Sequence, residues 1–115
     1  MKDYDRNVIV KQAYDAFYSH KPFKKGNTEI KTNSNCTIYL LYGHQIAVLS
    51  KFSGNLTISN NGKFDYDIKQ RLNSLEGVKI TKRTDKDTKT WYLNGKLWDG
   101  TPGHVRNKEV GNHLK

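Results

Sequence analysis

Between residues 4 and 19 apolar side chains return every three or four positions. Val10, Tyr14 and Phe17 stand at i, i+4 and i+7 with Ala13 beside them, while Lys11, Gln12 and Asp15 occupy the other side. That period predicts an amphipathic helix over Tyr4–Ser19. Asp3 or Asp5 suits its N-cap, His20 and Lys21 close its last turn, and Pro22 stops it. Lys21–Thr28 then reads as a basic loop around Phe23.

The period next falls to two. Thr28–Thr32 is a short strand, and Asn33-Ser34-Asn35 is turn-forming. Cys36–Tyr42 and Gln45–Lys51 flank Gly43-His44, with Gly placed first as a II′ hairpin wants. Ile38, Leu40 and Tyr42 share one face of this hairpin, with Ile46 and Val48 beside them, and Tyr39, Leu41, Ala47 and Leu49 share the other. Apolar residues on both faces predict middle strands covered at least partly on each side. Asn55–Ser59 continues the pattern, with Leu56 and Ile58 inward, until Asn60-Asn61-Gly62 breaks it.

From Lys63 the helical period returns. Asp65 or Asp67 caps a helix whose apolar face is Ile68, Leu72 and Leu75, Gly77 ends it, and Lys69 and Arg71 lie off the apolar stripe. Val78–Arg83 alternates as a half-buried strand, Thr84–Thr88 is a charged loop, and Lys89–Leu93 leads into Asn94-Gly95. An Asn-Gly pair between apolar arms is a strong signal for a two-residue hairpin. Both tryptophans, Trp91 and Trp98, sit on those arms, so at least one ring anchors the core. After Gly100 the apolar pattern fades, and residues 101–115 are expected to form a loosely ordered basic tail behind one domain of residues 1–100. The predicted fold is α+β: two helices against an antiparallel sheet of about five to seven strands, in the order helix, three or four strands, helix, two or three strands.

Composition adds modest constraints. A chain of 115 residues with 35% hydrophobic residues holds one core. No apolar run spans a bilayer, and the acidic start has no apolar stretch of a secretory signal, so neither membrane insertion nor secretion is expected. The single Cys36 and four scattered histidines form no metal-binding spacing, which fits a reducing cytosol. The net charge of +9 divides almost evenly between the two halves and comes mostly from Lys.

No phosphate-binding loop, nucleophile elbow or metal-protease motif occurs. The residues best suited to acid–base work are His20, His44, Asp65, Asp67 and Asp99, and each has a structural explanation in a turn or a cap. His104-Val105-Arg106-Asn107 is a fragment of nuclease character without a second His. No catalytic, cofactor or metal site is expected. The positive charge supports salt-dependent contact with nucleic acid or a larger partner, and Lys21, Phe23, Lys24, Lys25, Lys69 and Arg71 are the residues expected to make it. The element order resembles in outline the double-stranded RNA-binding domain. Lys63-Phe64-Asp65-Tyr66-Asp67, however, puts acids where that family carries lysines.

A second resemblance covers roughly residues 22–100. Asn55–Gly62 (NLTISNNG), Lys69–Leu75 with Gly77-Val78, Trp91–Gly95 and Trp98–Gly100 together resemble a family of small uncharacterised tailed-bacteriophage proteins. The resemblance implies a viral accessory protein in the cytoplasm of a bacterial host. Such a protein acts by binding a host machine such as a defence nuclease, a polymerase or a replication factor. It supplies no catalytic residues.

Overall fold

The computed structural model describes residues 3–82 and 90–105, with side chains from Val8 onward. Helix α1 (Asp3–Tyr18) buries Ile9, Ala13 and Phe17, one residue per turn. The stripe is therefore rotated from the expected one, and Val10 and Tyr14 lie only half-buried at its edge. The tyrosine hydroxyls explain the rotation, because each needs a polar partner. Tyr14 donates to Glu76 Oε1 at 2.8 Å, and Tyr18 accepts the Glu76 amide at 2.9 Å. At the C-terminus Lys21 N–H reaches Ala16 O and His20 N–H reaches Phe17 O. His20 takes the left-handed position (φ 55) that usually goes to Gly in this cap. Its Nδ1 lies 2.6 Å from Thr37 Oγ1, pinning the helix end to the sheet.

Six antiparallel strands form the main sheet in the order β1-β2-β3-β4-β5-β9: β1 Phe23–Lys25, β2 Thr28–Thr32, β3 Cys36–Leu41, β4 His44–Ser50, β5 Leu56–Ile58 and β9 Gly103–Val105. The β3–β4 turn is Tyr42-Gly43, one residue earlier than expected. Both residues have positive φ (54 and 77), the I′ geometry that matches strand twist. A bulge follows, since Tyr39 faces Ala47 while Leu40 faces Gln45 and Ile46 faces no residue. The extra residue turns both Ile46 and Ala47 into the core. The two edge strands were not foreseen. β1 lies within the expected basic loop, and β9 pairs with β5 inside the expected tail, so sheet structure runs past residue 100. Residues 106–115 of that tail lie outside the described residues, as does the loop Thr84–Thr88.

Helix α2 (Tyr66–Asn73) starts at Asp65, whose side chain makes no capping bond, and buries Ile68, Arg71 and Leu72. A second sheet, β6 Ile80–Lys82, β7 Trp91–Leu93 and β8 Lys96–Trp98, packs beside it. Asn73 joins the two by accepting Ile80 N–H at 2.6 Å and donating to Ile80 O at 3.1 Å, as a neighbouring strand would. Asn94, in the expected I′ turn with Gly95, accepts Lys79 N–H at 2.9 Å and donates to Gly77 O at 2.9 Å. Both tryptophans are buried, Trp91 at 1% and Trp98 at 8% exposure, with ring centroids 6.3 Å apart and Phe64 edge-on to Trp91 at 5.0 Å.

The chain returns to the main sheet through Gly100. Its carbonyl accepts Asn60 N–H at 3.0 Å and Ser59 Oγ–H at 3.1 Å. Asn60 is fully buried, and its Oδ1 accepts Gly62 N–H at 2.8 Å. A Cβ at Gly100, where φ is +89, would sit 1.9 Å from Asn60 Oδ1. Only Gly allows this approach. The clasp brings the two most distinctive turns of the sequence together and delivers β9 to the edge of β5.

Candidate functional site

Strand register assigns every side chain of the main sheet to one of two faces, because successive residues alternate. Thr28, Ile30, Thr37, Tyr39, Leu41, Ala47, Leu49, Leu56, Ile58 and Val105 point to the side of α1, α2 and the small sheet, and all are buried. They form one continuous core with the helices and the tryptophans. The opposite face runs in register as Lys31, Ile38, Val48, Thr57 and His104, with Lys24, Glu29, Leu40 and Gln45 in one flanking row and Cys36 and Ser50 in the other. No described element packs on it, and the molecule is 22 Å in its thinnest dimension, close to two layers. The middle strands are expected to be covered at least partly on each side; the helices and the small sheet cover one side, and Ile38, Leu40 and Val48 on the other are half-buried. Ile38, Leu40 and Val48 are apolar, yet they stand in a layer that no described residue closes.

The expected contact residues do not converge. Lys21, Lys24 and Lys25 are exposed, but Lys24 points to the open face while Lys25 pairs with Thr28 toward the helices. Phe23 shares the Ile30 and Tyr39 row and packs against the core, so its ring is not free to stack on a base. Lys69 is half-buried on α2, beside an open groove of about 320 Å³ lined by Tyr66, Gln70, Asn73 and Ser74. Arg71 is a correction: it is 2% exposed and cannot meet a phosphate backbone. Its turn of α2 faces the sheet between Ile68 and Leu72, because the helix is short and wedged between the two sheets.

The buried guanidinium donates to Gln70 Oε1 at 2.7 Å and weakly to Thr28 Oγ1 at 3.5 Å, and Nε has no hydrogen-bond partner. The Tyr39 hydroxyl is likewise buried without one. Burial pushes the Tyr39 phenol well above its ordinary value, and the Arg71 charge opposes that rise. Among the described residues no carboxylate is bonded to Arg71, so this polar pair is a cost carried inside the core.

The acid–base candidates sit in structural contacts. His44 Nε2 lies 3.4 Å from Lys63 Nζ, and His104 Nδ1 lies 3.0 Å from Thr57 Oγ1. Tyr42 donates to Asp67 Oδ2 at 3.0 Å, tying the β3–β4 turn to α2. Asp99 accepts both the hydroxyl and the amide of Thr101, which hold its carboxyl below the usual range. Among the described residues no three of His, Cys, Asp and Glu gather as metal ligands, and no helix is long and apolar enough to cross a membrane. A second open groove, about 460 Å³, runs along the β1 edge between Pro22, Lys24 and Thr32.

The sequence places apolar residues of β3 and β4 on both faces without saying which face the helices take, and the structure puts the helices and the small sheet on the face of Tyr39 and Leu41. Lys24, Lys31, Gln45 and Thr57 interleave in register with Ile38, Leu40 and Val48, while the covered face holds the buried Thr28 and Thr37 among its apolar residues. No family model, curated protein or solved structure matches this chain.

Proposed function

We propose that this is a non-enzymatic phage accessory protein that binds and modulates a protein or nucleic-acid machine in the cytoplasm of its bacterial host. One observation carries the reading: no described element packs on the outer face of the six-stranded sheet, which has half-buried aliphatic residues at its centre and lysines along one side. An apolar patch of this kind marks an interaction site more often than a catalytic one. The resemblance of the Asn55–Gly62 and Trp91–Gly100 motifs to tailed-phage proteins supplies the context. His20, His44, Asp67 and Asp99 are each held in a local contact with Thr37, Lys63, Tyr42 and Thr101 respectively, which supports binding over reaction.

Capture from bacterial lysate treated with nuclease tests the reading. It stands if a host protein is retained in stoichiometric amount, and it falls if only nucleic acid is recovered. Weakly specific DNA or RNA binding is the second reading, favoured by the net charge of +9. Titration of duplex and single-stranded oligonucleotides against salt separates it, since phosphate contacts give a steep salt slope.

A further inference from the structure

We infer that the open face of the main sheet docks an acidic protein surface with an apolar centre, and that Phe52 anchors it. The inference rests on the binding reading above and names the surface and the partner chemistry.

The turn after β4 supplies the anchor. Ser50 points to the open face beside Cys36, and its Oγ accepts the amides of Phe52 at 3.2 Å and Ser53 at 3.3 Å. Phe52 in that turn is 81% exposed, the most exposed large apolar residue described. Cys36, Ile38, Val48 and Leu40 make an apolar stripe along the two central strands, and the turn bearing Phe52 follows directly from the Cys36–Ser50 end of it. Lys24 and Lys31 lie on one flank and the exposed Lys51 beside the anchor, against a single acid, Glu29, on the same face.

Size and chemistry select the occupant. Six strands about 4.8 Å apart give a face roughly 25 Å across, long at β3 and β4 (six and seven residues) and short at its edges (three residues each), the scale of the centre of a protein interface rather than of a whole one. Sheets that read single-stranded nucleic acid put aromatic rings at their centre for bases to stack on. Here the centre is Ile38, Leu40 and Val48, which neither stack nor pair with phosphate. A second copy of a chain of net charge +9 brings like charge to like. An acidic partner with an apolar centre satisfies both the stripe and the lysine flank, and an exposed aromatic is the residue type that dominates such contacts.

The test compares capture from nuclease-treated bacterial lysate by wild type, Phe52→Ala, Val48→Lys and Lys31→Glu, with Leu97→Lys on the small sheet as control. Thermal unfolding checks that each variant folds. Phe52 lies in an exposed turn, so Phe52→Ala keeps the test open if Val48→Lys fails to fold. The expected result is a retained protein of low isoelectric point that falls at least tenfold with Phe52→Ala and Val48→Lys. Its recovery falls several-fold with Lys31→Glu and is unchanged with Leu97→Lys. The purified complex should also slow alkylation of Cys36, the only thiol, by iodoacetamide. A protein retained equally by Phe52→Ala, or a basic one, overturns the inference and leaves the binding reading standing. Recovery of nucleic acid alone, or of nothing stoichiometric, overturns both. A dimer in sedimentation that Phe52→Ala returns to monomer overturns the acidic-partner assignment.

Discussion

Leu40 and Leu41 are neighbours on one strand and lead different lives. Leu41 is buried among the helices, and Leu40 is half-exposed in a row with Glu29 and Gln45. The same contrast runs across the whole sheet. One face carries ten side chains sealed under two helices and a small sheet, and the other carries aliphatic residues interleaved with lysine, threonine and histidine. Apolar content alone does not say which face is the core. What decides is which face the helices and the small sheet cover, since even Thr28 and Thr37 are fully buried there.

The sharpest way to break that contrast is to truncate the two leucines in turn. Leu41→Ala should cost about 2–5 kcal/mol, the range for a core leucine that leaves a cavity. Leu40→Ala should cost about 1 kcal/mol or less, since water already reaches its site. Urea unfolding of both variants measures the difference, and equal losses would mean that the open face is packed as a core. Gly100→Ala should come next, at about 2–4 kcal/mol, from left-handed strain and the collision with Asn60. Because the clasp delivers β9, hydrogen exchange at Ile58 and Val105 should rise with it, and unchanged protection would show that the edge strand holds by itself.

Much of this contrast was legible in the sequence, and the failures share a cause. The helices, the central hairpin and the Asn94-Gly95 turn carry strong periods or obligatory turn chemistry, so they could be placed from the residues. The edge strands β1 and β9 are three residues each, with a half-exposed or exposed pattern, and the sequence offers almost no period to read. The helix stripe was misplaced by one residue because Tyr14 reads as apolar by composition but is held at the rim by its hydroxyl. Arg71 was misread for the opposite reason. A charged residue on a short helix reads as solvent-facing, but this one turns onto the main sheet beside Thr28 and Tyr39 and is buried there. Which polar residues line up beside Ile38 and Val48 was not legible, because register between distant strands is not written in either strand alone.

Arg71 offers a smaller test on the covered side. A buried cation without a bonded carboxylate costs desolvation that Gln70 and Thr28 only partly return. Arg71→Met, similar in length and apolar, should raise stability by about 1–2 kcal/mol. A loss of that size instead would show that the guanidinium is satisfied in solution by a group the fold admits.

Tyr39→Phe is the finest probe, and it separates the two faces by pH. The hydroxyl is fully buried and bonds to nothing, so its removal at neutral pH should change stability by less than about 1 kcal/mol, toward gain. In alkali the variants part. Burial raises the folded-state pKa of Tyr39 above that of an unfolded tyrosine near 10, and the same cause lifts Tyr18 to about 12. The folded protein thus holds protons that the unfolded chain releases. The stability they support is whole below pH 10 and is lost as pH rises from 10 toward the folded values. Deleting the Tyr39 hydroxyl removes one such proton, so between pH 10 and 11.5 the variant should lose stability more slowly than wild type, by up to about 1.4 kcal/mol per pH unit. Tyr18 and the lysines titrate in both proteins and cancel in the difference. Parallel curves would mean that Tyr39 ionises as freely folded as unfolded, and that the covered face admits water after all.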